Sequence, residues 1–465
     1  MRKSRNTKLA TAITVVAATS ILLSGCAPVQ SAGSDDKSIT VWTLENQPDR
    51  VRIQDQIVAA FTEKTGIEVD LVAVDEGQIV QLVASSAISG DLPDVFGAMS
   101  LSLTRQFDSL GLLDADAATG IIDDLGEDTF EEAALELNQN DGKAIGVPDS
   151  AYSQILVYRT DLFEKAGLEA PTTYEKLEKA AAKLTTDDQY GITLATDPAD
   201  VFTSQTFESL ALANDCQLVN ESGDISLESE ECIRTWELYG KLAAAGPSGT
   251  QSVDTTRASY FSGQAAIVSW STYLLDELAG LRNDALPTCA ECETDPEWLA
   301  KNSGIITSIE GPDGKAGGTY GEATSWSVTK NSNTAAAAEF ISYMLSDGYL
   351  DWLGMAPEGK FPLRHGDATD PEKYSNGWLN LEAGVDTKKK LSEVYDAETV
   401  ATLQEIPSTI NRWAIPQGHG TLLGPVNTQL PISKAIADFA SGAVSPEESA
   451  TTATEVVEQL QSDLK

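Results

Sequence analysis

The stretch ITVWTLENQPDRVRIQDQIVAAFTEKTGIEVDLVAVDEGQIVQLVASSAISGDLPDVFGAM, residues 39–99, switches between two periodicities. Ile39-Thr40-Val41-Trp42 reads as a short strand. Between Val51 and Thr65 the apolar residues recur as Ile53, Ile57, Val58 and Phe61, which is helical spacing. Ile67, Val69, Leu71 and Ala73 alternate, which is strand spacing. Ile79 to Ile88 is helical again, and Leu92 to Met99 reads as a buried strand. The order strand, helix, strand, helix, strand predicts an α/β fold with a parallel or mostly parallel sheet covered by helices. In such sheets ligands sit beyond the carboxyl ends of the strands.

Downstream, a second cycle begins at Ala144-Ile145-Gly146-Val147-Pro148, with a strand at Gln154 to Tyr158. Thr172 predicts a helix start, because Pro171 precedes it and Glu175 follows three residues on, as in a capping box. Tyr174, Leu177, Ala181 and Leu184 then share one face. The last helix is marked by Ser445 as cap, Pro446 in the first turn and Glu448 closing the box. No repeat of fixed period is present.

Upstream, Arg2, Lys3, Arg5 and Lys8 precede an apolar run from Leu9 to Leu23, the layout of a signal peptide over residues 1–25. The run ends in Leu23-Ser24-Gly25-Cys26, which resembles the bacterial lipobox. That resemblance implies Cys26 as an acylated first residue and a membrane anchor without a membrane span. Residues 26–37 then read as a flexible tether. Later in the chain no apolar run is long enough to cross a bilayer.

The net charge is −40, and becomes −44 when the four basic residues of the leader are removed. That balance excludes a nucleic-acid binder, which needs a basic footprint, and it disfavours docking on anionic lipid. After Cys26 the cysteines are Cys216, Cys232, Cys289 and Cys292. Outside a cell an even number suggests disulfides, and Cys216 with Cys232 and Cys289 with Cys292 is the local pairing. A zinc site of all four, or a redox role for the Cys289-Ala290-Glu291-Cys292 segment, stands as an alternative.

Catalytic signatures are missing. There is no G-x-S-x-G elbow, HExxH helix or P-loop. The histidines are His365 and His419, so histidine-based catalysis has almost no material. Carboxylate pairs for glycoside hydrolysis arise by chance among 71 acidic residues and carry little weight. The expectation is a protein that is not an enzyme and needs no cofactor or metal.

Several segments in order resemble the extracellular solute-binding proteins of ABC importers, in the sugar-binding family that includes maltose-binding protein. They are SGDLPDVF (89–96), DGKAIGVPDSAYSQILVYRTDLFEKAGLEAPTTYEKL (141–177), YFSGQAAIVSWSTYLL (260–275), GEATSWSVTKNSNTAAAAEFISYML (321–345), FPLRHG (361–366) and ISKAIADFASGAVSPEESATTATEVVEQL (432–460). The sequence departs from the pattern at the CAEC segment and at the acidic stretch around Asp367 to Val400.

The resemblance implies a two-lobed, type II periplasmic-binding-protein-like fold. Each lobe is a mixed sheet flanked by helices, with the ligand cleft between the lobes. Residues 38–149 and 305–355 would form lobe 1, and 150–304 and 356–465 lobe 2. It implies a monomer, anchored by lipid at the extracellular side of the cell membrane, that passes a carbohydrate, expected to be an oligosaccharide, to the transmembrane subunits of an ABC permease. A sugar offers weakly apolar faces and hydroxyl-bearing edges, so its site needs flat aromatic rings beside carboxylates, amides and arginines. Residues at strand ends in this register are Trp42, Glu45, Asp94, Asp149, Tyr152, Trp270, Glu322, Trp326 and Arg364, with Asn46, Ser150 and Tyr273 nearby. For each tryptophan the competing fate is core packing, and for Asp94 it is a local cap. The other readings are a binding protein for a non-sugar ligand such as a polyamine, which acidic and aromatic residues would suit, and a surface lipoprotein without transport.

Overall fold

A computed structural model describes residues 37–314 and 319–464. The basic leader, the apolar run and Cys26 lie outside the described residues. The first part follows the sequence pattern closely: β1 (Ser38–Thr43), α1 (Pro48–Thr65), β2 (Glu68–Ala73), α2 (Ile79–Ser89), β3 (Val95–Met99) and α3 (Leu101–Ser109). β1 lies between β2 and β3 and runs parallel to both, with Val41 opposite Leu71 and Val95. α1 turns Ile57 and Phe61 into the core beneath β1.

The second cycle is a single long strand where the sequence suggests two pieces: β4 spans Val147–Arg159. It is followed by α4 (Tyr174–Leu184), α5 (Val201–Ala213), α6 (Glu230–Ala244), α7 (Val253–Phe261), β5 (Ile267–Ser271), β6 (Ser303–Ile306) and β7 (Thr319–Val328). Then come α8 (Thr334–Met344), α9 (Tyr349–Leu353), β8 (Phe361–Pro362), β9 (Ile410–Asn411), α10 (Pro431–Ala440) and α11 (Pro446–Asp463). The cap of α4 is Thr173 instead of Thr172: its hydroxyl accepts from the Lys176 N–H at 3.2 Å. Pro171 sets the chain one residue further on before the helix begins. At α11 the Ser445–Glu448 box forms as the sequence indicates.

Two strands change partners along their length. From Val147 to Ser153, β4 pairs antiparallel with β7, and from Gln154 to Arg159 it pairs with β5 and β6. β7 pairs with β9 at Thr319 and Tyr320 and with β3 from Ser325 to Val328. The switch on β4 therefore falls inside the strand, at Ser153–Gln154, where the sequence reading divides at 149/150. Phe361 and Pro362 of β8 pair with Ala151 and Ser150.

Distinct cores lie on the two sides of these strands. Phe61, Trp326, Phe340 and Trp352 belong to one, and Leu177, Phe207, Trp236, Tyr239 and Phe439 to another. The four cysteines are joined as Cys216–Cys232 and Cys289–Cys292. This leaves no thiolate for the zinc alternative. Cys216–Cys232 ties the end of α5 to the first turn of α6, inside the second core.

Candidate ligand cavity

A cavity of about 290 Å³ opens where the ends of β1, β3 and β5 meet the middle of β4 and β7. Glu45 enters it just after β1, Ala98 and Ser100 at and after the end of β3, and Ser271 and Tyr273 at and after the end of β5. Tyr152 of β4 and Glu322 and Thr324 of β7 come from the two long strands. α5 adds Phe202 and Gln205, and α7 adds Val253. Ligand position beyond strand ends is the expectation for a parallel sheet.

The wall is aromatic, hydroxylic and acidic at once. The Tyr152 and Tyr273 rings lie 5.4 Å apart, and Gln205 donates to the Tyr152 hydroxyl at 3.3 Å. Gly359 passes so close to the Tyr273 ring that a Cβ there would overlap it. The Arg50 guanidinium lies 5.2 Å from the Tyr273 ring centre.

Glu45 and Glu322 are both buried carboxylates with cationic partners. Glu45 holds Arg50 at 2.6 Å and Lys360 at 2.5 Å. Burial alone would raise its pKa, but the Lys360 ammonium and Arg50 guanidinium override that and hold it at about 2. Lys360 itself is covered by the Trp352 ring at 4.2 Å. Glu322 accepts the Leu101 N–H at the start of α3 (2.7 Å) and the guanidinium of Arg412. Arg412 is wholly buried and also binds Glu208 of α5 at 2.9 Å, while Glu208 accepts the Trp413 N–H at 2.8 Å. A continuous polar chain thus runs from α3, through Glu322 on β7, to α5.

Of the residues expected from sequence, Glu45, Tyr152 and Glu322 are brought together in this wall. The others are placed elsewhere, each with structural partners. Trp42 packs edge-on against Phe96 at 6.1 Å. Asp94 accepts the Thr40 and Asn333 N–H groups, both at 2.8 Å, so it pins β1 to the start of α8, the capping fate. Asp149 is fully buried and does not line the cavity; it accepts from Trp352 Nε1 at 2.9 Å and Thr324 at 3.0 Å. Trp270 lies behind the wall: its Nε1 donates to the Val253 carbonyl at 3.1 Å and its ring packs on Phe202 at 5.8 Å. Trp326 is core, against Phe340 and Trp352, and a Cβ on Gly97 would overlap it. Arg364 ties loops together by donating to the Leu345 and Leu125 carbonyls at 2.6 and 2.8 Å and to Thr129 at 3.0 Å.

Arg50, Glu76, Gln205, Lys360 and Arg412 escaped the sequence reading. Only Arg412 carried a signal, as an arginine placed directly before Trp413 and two residues after Ile410. Lys360 precedes FPLRHG with nothing to mark it as buried.

The family profile described as bacterial extracellular solute-binding protein matches residues 56–374. A putative ABC transporter periplasmic-binding protein of Escherichia coli, YcjN, is 30% identical over 351 residues, covering 74% of this chain and 76% of that protein. Among solved structures, the GacH receptor of Streptomyces glaucescens, described unliganded and with acarbose, aligns with a TM-score of 0.67 at 20% identity, covering 92% of this chain and 99% of that one. A maltose-bound protein of T. maritima aligns with a TM-score of 0.66 at 16% identity, covering 91% and 99%. At these identities the structural likeness speaks for the fold.

Proposed function

We propose a function from one premise: the chain belongs to the bacterial extracellular solute-binding protein family and is a binding protein of an ABC transporter, not an enzyme. Its ligand is a carbohydrate, held in the cavity at the two crossing strands and delivered to a membrane permease. The observation that carries this reading is the wall itself, where the paired rings of Tyr152 and Tyr273 stand beside Glu45, Gln205 and Glu322. Rings stack on the C–H faces of a sugar, and carboxylates and amides take its hydroxyls.

Lobe 1 would comprise the β1–β3 side and lobe 2 the β5–β6 side, with β4 and β7 as connections that bend as the lobes close. A ligand touching Glu45 on one side and Gln205 on the other favours the closed form by its differential contacts. The lipid anchor at Cys26 would keep this body at the outer face of the membrane near its permease.

A thermal-shift screen tests the reading, with mono- and oligosaccharides run beside polyamines and phosphate esters. A ligand of the folded state raises the melting temperature as its concentration passes its dissociation constant. A shift with one class of sugar supports the proposal. A shift with a polyamine alone keeps the transport class and overturns the carbohydrate.

A further inference from the structure

Three helices begin at the cavity, and the protein has already filled each start with its own group. α3 opens at Leu101, whose N–H is taken by the Glu322 carboxylate. α5 opens at Val201 and is capped by Asp200, whose carboxylate accepts the Phe202 N–H at 2.9 Å. α7 opens at Val253 and is capped by the Ser252 hydroxyl. A helix start is where a bound anion would normally be held, and here two of the three already hold a protein carboxylate.

The cations are committed in the same way. Arg50, in the wall, donates to Glu45 through Nη1, while its Nε has no hydrogen-bond partner among the described residues. Behind it Lys360 binds Glu45, and Arg412 binds Glu208 and Glu322. Four carboxylates, Glu45, Glu76, Glu208 and Glu322, thus face three cations, and Asp149 lies behind Lys360 as a further carboxyl. The one carboxylate of the cavity wall with no ion-pair or hydrogen-bond partner among the described residues is Glu76. Glu76 sits at the mouth, in the turn between β2 and α2. Glu76 keeps an exposed side chain, but partial burial against the cleft and then the charges of Glu322, Glu45, Asp75 and Asp200 raise its pKa. A cation placed beside Glu76 is attracted by all of these carboxylates at once, and an anion meets their repulsion while Arg50 and Lys360 are already paired with Glu45.

We infer that the cavity ranks carbohydrates by charge, with Glu76 as the specificity-determining residue: a sugar carrying a basic nitrogen binds tightest, its neutral counterpart follows, and a uronate or sugar phosphate is rejected. This rests on the carbohydrate reading above. The test uses the full-length protein in detergent and calorimetric titration with matched sets in the gluco, galacto and manno series. Each set contains the neutral hexose, the 2-amino-2-deoxyhexose and the hexuronate. In whichever series binds, the amine is expected to bind about three- to tenfold tighter than the neutral sugar, the range of a partly exposed ion pair, and the uronate to give no measurable heat. In Glu76→Gln the ratio of amine to neutral affinity falls to about one, since the pair is gone. A uronate that binds as well as the neutral sugar overturns the inference, as does an amine preference that survives in E76Q. Either result leaves carbohydrate binding standing. If no sugar of any charge binds and spermidine does, the carbohydrate reading falls together with the inference.

Discussion

Arg412 exposes none of its surface and satisfies two buried carboxylates at once. Removing its charge alone leaves Glu208 and Glu322 facing each other without a counter-ion. Arg412→Met should therefore cost about 3–5 kcal/mol, the usual penalty for breaking a buried pair from one side. The triple change R412M/E208Q/E322Q should recover most of it, because it removes the stranded charges too. Urea unfolding midpoints decide this, and an R412M midpoint equal to the parent's would mean the chain tolerates those charges unpaired. Trp270 makes a second case. From sequence it reads as a cleft residue whose loss would spare stability. Behind the wall, packed on Phe202 and bonded to Val253, its truncation should cost about 3–5 kcal/mol as a core cavity does, with ligand affinity falling because Phe202 and Val253 lose their backing. A Trp270→Ala protein that melts with the parent but fails to bind would return Trp270 to the site. The reason such residues were misread is geometric. Glu322, Thr324 and Trp326 share one face of β7 by alternation. Two residues beyond Thr324, however, that face has passed from the cavity to the core under α8, where Phe340 waits. Alternation tells which residues point the same way and not where along a strand the cleft ends.

At the scale of elements the sequence was most readable where local chemistry decides. The alternation of residues 39–99 and the box at Ser445 are local signals, and both appear in the fold. β4 was less readable, because its two halves gain their partners from β5, β6 and β7, which lie more than a hundred residues away in sequence. Its middle, Asp149 to Ser153, is polar and resembles a loop until β7 pairs with it. The cysteines show the same division. Pairing of near neighbours was legible, while the role of Cys216–Cys232 as a link between α5 and α6 was not. With a sequence separation of 16 between its ends, that link should stabilise the fold by about 3 kcal/mol on the chain-entropy argument. Cys289–Cys292 closes a much shorter loop and should contribute less. C216A/C232A should lower the melting temperature more than C289A/C292A, and a reducing agent should lower the parent's by at least as much as the larger of the two. An intact mass showing four free thiols in freshly secreted protein would remove the basis for both expectations.

For the whole molecule, the two-sided plan came from the resemblance and not from periodicity, which reaches an α/β sheet and stops. What composition did expose is charge, and charge sets how the fold responds to pH. Two buried glutamates pull in opposite directions. Glu45, held at about 2 by Lys360 and Arg50 against the effect of burial, lies below its ordinary value of 4.5. The stability it contributes is complete above that value and is lost as pH falls towards 2. Glu358 is pushed the other way, to about 7, by burial that its own backbone bond and the charges of Arg50, Lys388 and Arg282 only partly offset. Asp276 is raised as well, by burial and then by Glu358 and Glu277, with Arg282 opposing. For both acids the native state prefers the proton, so their contribution is complete below the unfolded value and is lost as pH rises, for Glu358 as pH climbs through about 7. The melting temperature should therefore peak at about pH 4.5–5 and decline on both sides. The net charge of −40 at pH 7 adds self-repulsion to the alkaline side, but salt separates the two causes. Repulsion between exposed charges is screened at high ionic strength, whereas a buried acid is shielded from the salt. In molar sodium chloride the decline from pH 5 to 8 should shrink without vanishing, and Glu358→Gln, which carries the neutral form at every pH, should flatten what remains. A melting temperature that rises steadily from pH 5 to 8 at high salt would mean that Glu358 and Asp276 ionise in the native state without cost.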